Sequence, residues 1–212
     1  MKILSIDLNK DYSGALSEAV KILRTGGIVV YPTDTVYCLG ANACDEHAAE
    51  LIFKIKNRPL ARPLPIIARN IKWARELAFI PSKLERALEN IWPGATSVIL
   101  PKKNIIPRIV TAGENTVSIR IPDYVLTDKL LGKFGYPLTA VSANITGEET
   151  TGDINKIVES FGSNIWKPDL ILDAGILPPS SPSAILDLST IRPKILRVGP
   201  SKPEQLMKLL GI

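Results

Sequence analysis

Apolar and polar positions along the chain switch between a period near 3.6 and a period of 2, and those switches predict the order of elements. The opening residues, MKILSIDLNK, alternate like a strand. In SGALSEAVKILRTGG, residues 13–27, the apolar Ala15, Leu16, Ala19, Val20, Ile22 and Leu23 fall near helical spacing, with Ser13 as the N-cap and Gly26 at the C-terminal end. GIVVY (27–31) is a β-branched strand stopped by Pro32. DEHAAELIFKIKN (45–57) is a second helix, capped by Asp45, with Ala48, Ala49, Leu51, Ile52 and Ile55 inward and Lys54 and Lys56 near its C-terminal end.

Further along, PLPIIA (63–68) reads as a short strand, and NIKWARELAFI (70–80) and PSKLERALENIW (81–92) as helices. ATSVIL (95–100) and TVSIRI (116–121) are strands, DYVLTDKLLGKFG (123–135) a helix, PLTAV (137–141) a strand, and DINKIVESFG (153–162) a helix behind Asp153. PDLILD, SAILDL and KILRV close the sheet, and Ser201 with Glu204 gives the last segment a capping-box signature for a final helix. No repeat, low-complexity tract or long linker interrupts this order. One α/β domain with a mixed sheet flanked by helices is the simplest reading.

Composition narrows the class. Of 212 residues, 45% are hydrophobic and 22% charged, which supports a packed core. No stretch reaches the ~20 apolar residues of a membrane span and no signal peptide opens the chain, so a cytoplasmic location is expected. Cys38 and Cys44 fit two reduced, partly buried thiols. A net charge of +5 favours an anionic partner.

What is missing removes most enzyme classes. His47 is the single histidine and falls in the polar part of a helix, which excludes a histidine-rich metal centre and a Ser-His-Asp triad. Neither a Walker A loop nor a dinucleotide fingerprint occurs. Three other segments could meet phosphate. KIKNRPLARP carries Lys54, Lys56, Arg58 and Arg62 on a loop stiffened by Pro59 and Pro63. LTAVSANITGEETTGD gives way from a strand to Ser142, Asn144, Thr146, Gly147, Thr150 and Thr151. SPSAILD opens a strand at Ser183, with Arg197 on a neighbouring run. Each has an ordinary alternative, a solvated loop or a turn. With Thr33, Asp34 and Thr35 after the GIVVY strand, they describe a polar, positive pocket without a strong base, suited to phosphoryl or nucleotidyl transfer driven by charge neutralisation and alignment.

The segments YPTDTVYCLG, IFKIKNRP, TVSIRIP, VSANITG, SPSAILD and ILRVG, in this order, resemble the YrdC/TsaC family of threonylcarbamoyl-AMP synthases from about residue 14 to 199. The family signature, K-x-R followed by S-x-N, is here Lys56, Arg58, Ser142 and Asn144. The resemblance implies a YrdC-like twisted sheet with a large basic concave surface, in the short form, as a single domain over residues 1–212. It implies that L-threonine, bicarbonate and ATP, with Mg2+, give threonylcarbamoyl-AMP and pyrophosphate, the first step of t6A formation, for a downstream threonylcarbamoyl transferase complex acting on tRNA. It implies no dedicated protein metal site.

Carried over by position, the resemblance makes Lys56, Arg58, Ser142 and Asn144 catalytic. ATP would be met by these four with Arg62, Thr116, Thr150 and Arg197, and threonine by Thr33, Thr35, Arg120, Ala140 and Ser183. Three positions depart from the family pattern: Cys38 where glycine is common, Arg62 where a small amide or a lysine stands, and Ile67 where a threonine-contacting histidine can occur. A double-stranded RNA-binding module of the same fold, its binding weak and salt-sensitive, and a carbamoyl-adenylate-forming domain are the alternatives.

Overall fold

The run at residues 28–31 fixes the centre of the molecule. Val29–Tyr31 (β2) is buried throughout and returns as Cys38–Gly40 (β3), an antiparallel hairpin in which Val29 faces Gly40, Val30 faces Leu39 and Tyr31 faces Cys38. Its side chains divide between two cores: Val30 and Leu39 enter one, Val29, Tyr31 and Cys38 the other. That is why the sequence there is an unbroken apolar run rather than an alternating one. Gly40 allows the close fit, since a Cβ there would lie 2.6 Å from the Tyr31 ring.

The computed structural model describes residues 1–190, 192–200 and 208. Apart from Lys208, the helix expected over 201–211 therefore falls outside the described residues. In chain order the remaining elements are Lys2–Ser5 (β1), Ser13–Arg24 (α1), Glu46–Lys56 (α2), Ile66–Ile67 (β4), Ile71–Leu77 (α3), Ser82–Glu89 (α4), Thr96–Pro101 (β5) and Thr116–Arg120 (β6). Val125–Phe134 (α5), Leu138–Thr139 (β7), Val141–Ser142 (β8), Ile154–Gly162 (α6), Leu170–Asp173 (β9), Ala184–Asp187 (β10) and Lys194–Arg197 (β11) follow. Among the described residues no helix is long and apolar enough to cross a membrane.

The mixed sheet expected from the sequence is divided into two mixed sheets, one ordered β1-β9-β2-β3-β8 and the other β11-β10-β5-β6-β4-β7. The division runs through the segment read as one strand, residues 137–141. Leu138–Thr139 pairs with β4 in the second sheet, and after Ala140 the chain pairs as Val141–Ser142 with β3 in the first. Thr139 fastens the change of sheet, its hydroxyl donating to Leu39 O and accepting from the Ala41 N–H, while the Ala140 N–H donates to Pro65 O.

The helix ends show where side chains override a simple cap rule. Asp45 and Asp153 cap α2 and α6 as the sequence indicates. Ser13 does not cap α1: the cap residue is Tyr12, and Asp11 accepts from both the N–H and the hydroxyl of Ser13. Asp11 is thus the acceptor that organises this turn.

Candidate functional site

On the second sheet, alternate positions of β5 and β6 point opposite ways. Val98, Leu100, Val117 and Ile119 enter the larger core, whereas Ser97, Ile99, Ser118 and Arg120 line a cavity of about 380 Å³. Register aligns Ser97, Arg120 and Ile67 across three adjacent strands. The turn between β2 and β3 supplies Thr33, Thr35 and Val36, the first sheet Cys38 and Ser142, the linking segments Arg58, Thr150 and Ser183, and β11 its last residue, Arg197. None of the described residues lining the cavity is Asp, Glu or His.

Arg120 is the most constrained cation there, only 6% exposed. Its Nε–H donates to Gly94 O at 2.9 Å, Nη1 to Thr35 Oγ1 at 2.8 Å and Nη2 to Asp34 Oδ1 at 2.5 Å. Three of the five N–H groups of a guanidinium are thereby engaged, leaving one on each terminal nitrogen. The turn that presents Asp34 and Thr35 is closed by Thr33, whose hydroxyl donates to Val36 O and accepts from the Thr35 and Val36 N–H groups. Thr33 thus both lines the cavity and builds the loop beside it.

Lys56 and Arg58 diverge although only one residue separates them. Asn57 ends α2 in the left-handed region at φ 50°, a conformation asparagine tolerates better than most residues. Lys56 consequently points inward, 3% exposed, and donates to Ser142 O at 2.6 Å, Asn144 O at 2.7 Å and Asn144 Oδ1 at 2.9 Å. Burial, then the charge of Arg58, pulls its ammonium down to about 8. Asn144 also accepts from the Ser142 hydroxyl and donates from Nδ2 to Glu148 O. Lys56 and Asn144 therefore hold the loop from Ser142 to Glu148 from behind, and neither is among the described cavity-lining residues.

Arg58 reaches the cavity while gripping its own loop, with Nε on Arg62 O and Nη2 on Pro63 O. Its guanidinium is held below its ordinary range by burial and by Arg62. Arg197 is likewise lowered, by burial and by Arg120, and its Nε–H donates to Ser183 O. The Ser183 hydroxyl lies 2.9 Å from that of Ser97. Cys38 is a free, buried thiol pushed up to about 11 by desolvation, so it stays protonated near neutral pH.

The structure thus brings together Thr33, Thr35, Arg58, Arg120, Ala140, Ser142, Thr150, Ser183 and Arg197 on one cavity, as well as Ile67. It leaves four expected ATP contacts off that surface: Lys56 and Asn144, which lie behind the Ser142 loop, and Arg62 and Thr116. Arg62 is exposed on the loop beside it, and Thr116 starts β6, on the face of Ser118 and Arg120 but at the strand's far end. Ser97 and Ser118 are the lining residues that sequence reasoning passed over, and Asp34, counted there among the pocket oxygens, was given no partner. Period-2 reading of ATSVIL and TVSIRI would have placed both serines on the face opposite the valines.

A family model, Sua5_yciO_yrdC, described as "Telomere recombination", matches residues 21–199. The threonylcarbamoyl-AMP synthase of Pyrococcus abyssi is 36% identical over 194 residues, 91% of this chain, which spans 56% of that relative's length. That of Vibrio vulnificus strain YJ016 is 32% identical over 187 residues, covering 87% of this chain and 98% of the relative. The crystal structure of P. abyssi Sua5 complexed with L-threonine superposes with a TM-score of 0.93 at 33% identity, over all of this chain and 61% of that one. With the fold, the K-x-R and S-x-N segments and these similarities in agreement, the chain belongs to the Sua5/YciO/YrdC family.

Proposed function

We propose that this chain is an L-threonylcarbamoyladenylate synthase, a nucleotidyl-transferring enzyme of tRNA t6A formation, and that residues 1–212 belong to one catalytic domain. The observation that carries the reading is one cavity combining Arg58, Arg120 and Arg197 with several hydroxyls, and with no Asp, Glu or His among its described lining residues. Such a site can neutralise polyanions but offers no general base. It suits a nucleophile that arrives already anionic.

The threonine amine and bicarbonate give a carbamate with release of water. A carbamate oxygen attacks the α-phosphorus of ATP, the O–Pα bond forms, the bond from Pα to the bridging oxygen breaks, and pyrophosphate leaves with that electron pair. No proton has to be removed from the attacking oxygen. Arg58 and Arg197, with Thr150 and Ser142, meet the phosphates, and the exposed Arg62 adds positive charge beside Arg58. Arg120 receives the threonine carboxylate through its two unengaged N–H groups, beside Thr35, Ser183 and Ala140. Lys56 and Asn144 act by fixing the Ser142 loop.

Magnesium would travel with the nucleotide phosphates. Among the described residues no three His, Cys, Asp or Glu side chains converge on a metal position, and Asp34 is committed to Arg120, so the chain's own donor set does not form a magnesium cage. The product, a reactive mixed anhydride, is passed to a transferase that acts on tRNA.

The test is pyrophosphate release from ATP with bicarbonate, with and without L-threonine, and with L-serine for comparison. Release that requires both threonine and bicarbonate is expected. Bound ATP without threonine-dependent release would refute the synthase reading.

A further inference from the structure

We propose that Asp34 is a positioning residue for threonine capture: it holds the Arg120 guanidinium so that its two unengaged N–H groups face the cavity. This rests on the synthase reading above and extends it to a side chain that is not among the described cavity-lining residues.

The argument begins with degrees of freedom. An arginine side chain has several rotatable bonds and, on a strand facing an open cavity, would sample many orientations. Arg120 is instead fixed at each of its three nitrogens by a different group: Gly94 O after α4, the Thr35 hydroxyl and the Asp34 carboxylate. Gly94 is itself tied to the same strand, its N–H donating to Ile121 O at 2.8 Å. Of the three partners only Asp34 carries charge, and its bond to Arg120 is the single ion pair among the described residues with both side chains under one-fifth exposed. It is therefore the strongest of the three constraints.

Charge balance points the same way. Arg120 shares the cavity with Arg58 and Arg197, and its charge already bears on Arg197. A fixed anion behind Arg120 offsets part of that repulsion while leaving the cavity side of the guanidinium available. Two features of the sequence serve this arrangement. Pro32 ends β2, and the Thr33 hydroxyl then closes a turn that carries Asp34 and Thr35 together onto Arg120. One turn thus supplies two of the three partners.

The experiment compares the wild-type chain with Asp34→Ala and Asp34→Asn. The asparagine keeps an oxygen acceptor where the carboxylate stood. Two readouts are taken: KM for threonine and for ATP in pyrophosphate release, and hydrogen-exchange protection of the Arg120 Nε–H by nitrogen-15 NMR. Asp34→Ala is expected to raise the threonine KM about tenfold or more, with the ATP KM within about threefold. It should also expose the Arg120 Nε–H to exchange. Asp34→Asn keeps an acceptor but loses the charge, so its threonine KM and its Nε–H protection should both fall between those of Asp34→Ala and wild type. Should Asp34→Ala not fold, Asp34→Ser makes the same truncation with a hydroxyl to keep the turn closed.

An unchanged threonine KM, an equal rise in both KM values, or equal Nε–H protection in all the proteins would overturn the proposal. A wild-type chain without threonine-dependent release would overturn the synthase reading first, before any variant is made. The NMR comparison would then still show whether Asp34 fixes Arg120.

Discussion

Raising the pH removes the Lys56 proton without touching any other atom of the loop, and the structure gives the size and sign of two consequences. Burial and Arg58 bring this ammonium from 10.5 to about 8, a drop worth roughly 3 kcal/mol. Below about 8 the group is charged in both folded and unfolded chains, and that cost is carried in full. Between about 8 and 10.5 the unfolded chain binds more protons than the folded one, so the Lys56 contribution to stability rises with pH.

Activity should move the opposite way. An ammonium has three N–H donors for Ser142 O, Asn144 O and Asn144 Oδ1, whereas a neutral amine has two and turns a lone pair toward the third oxygen. About nine-tenths of Lys56 is charged at pH 7 and about 3% at pH 9.5, so turnover that needs the fully held loop should fall roughly thirtyfold over that range. The assay is pyrophosphate release against pH, beside urea unfolding of wild type and Lys56→Met at each pH. Cys38 opposes Lys56 in the stability curve, since its thiol is raised from 9.0 to about 11 and the folded chain keeps a proton that the unfolded chain loses. Subtracting Lys56→Met removes that contribution except for the direct effect of the Lys56 charge on the thiol, which lowers it. The stability gap, wild type minus variant, is expected to grow by about 3 kcal/mol between pH 7 and 10.5. A constant gap, or turnover that stays flat to about pH 10, would refute the reasoning.

Two further outcomes follow from single contacts. Arg120→Lys replaces a planar fork holding three partners by a point charge, and should raise the threonine KM about tenfold to a hundredfold while moving the ATP KM little, as read from saturation curves in each substrate. Gly40→Ala places a Cβ 2.6 Å from the Tyr31 ring, in backbone that pairs with β2, and should cost about 1–3 kcal/mol in urea unfolding; an unchanged midpoint would show that the hairpin relaxes freely.

Elements with a strong period were legible in the sequence. The helix over 45–57 was recoverable to its capping aspartate, because Asp45 and the inward apolar positions point to the same boundaries. β3 was not anticipated, since Cys38–Gly40 is three residues long and pairs on both edges, giving no alternation to detect. The change of sheet at Ala140 was hidden for a related reason: Leu138, Thr139 and Val141 read as one strand whichever neighbours they pair with.

In the site, charged and hydroxyl residues after strands were found because they interrupt apolar runs. The opposite facing of Lys56 and Arg58 was not, because it depends on the left-handed turn at Asn57. Asp34 drew notice as a side-chain oxygen, but its partner is 86 residues away in sequence and only the fold brings the two together.

The order in which the chain visits its two sheets limits how the protein can be divided. Strands β1 to β3 belong to the first sheet, β4 to β7 to the second, β8 and β9 to the first again, and β10 and β11 to the second. The three passages between sheets run through Arg58 and Pro63, through Ala140, and through Pro182 and Ser183, all of which border the cavity. Any single cut between β1 and β11 separates strands of at least one sheet. A truncated or half-synthesised chain therefore lacks part of the lining, and the cavity is complete only when the most distant pairings close.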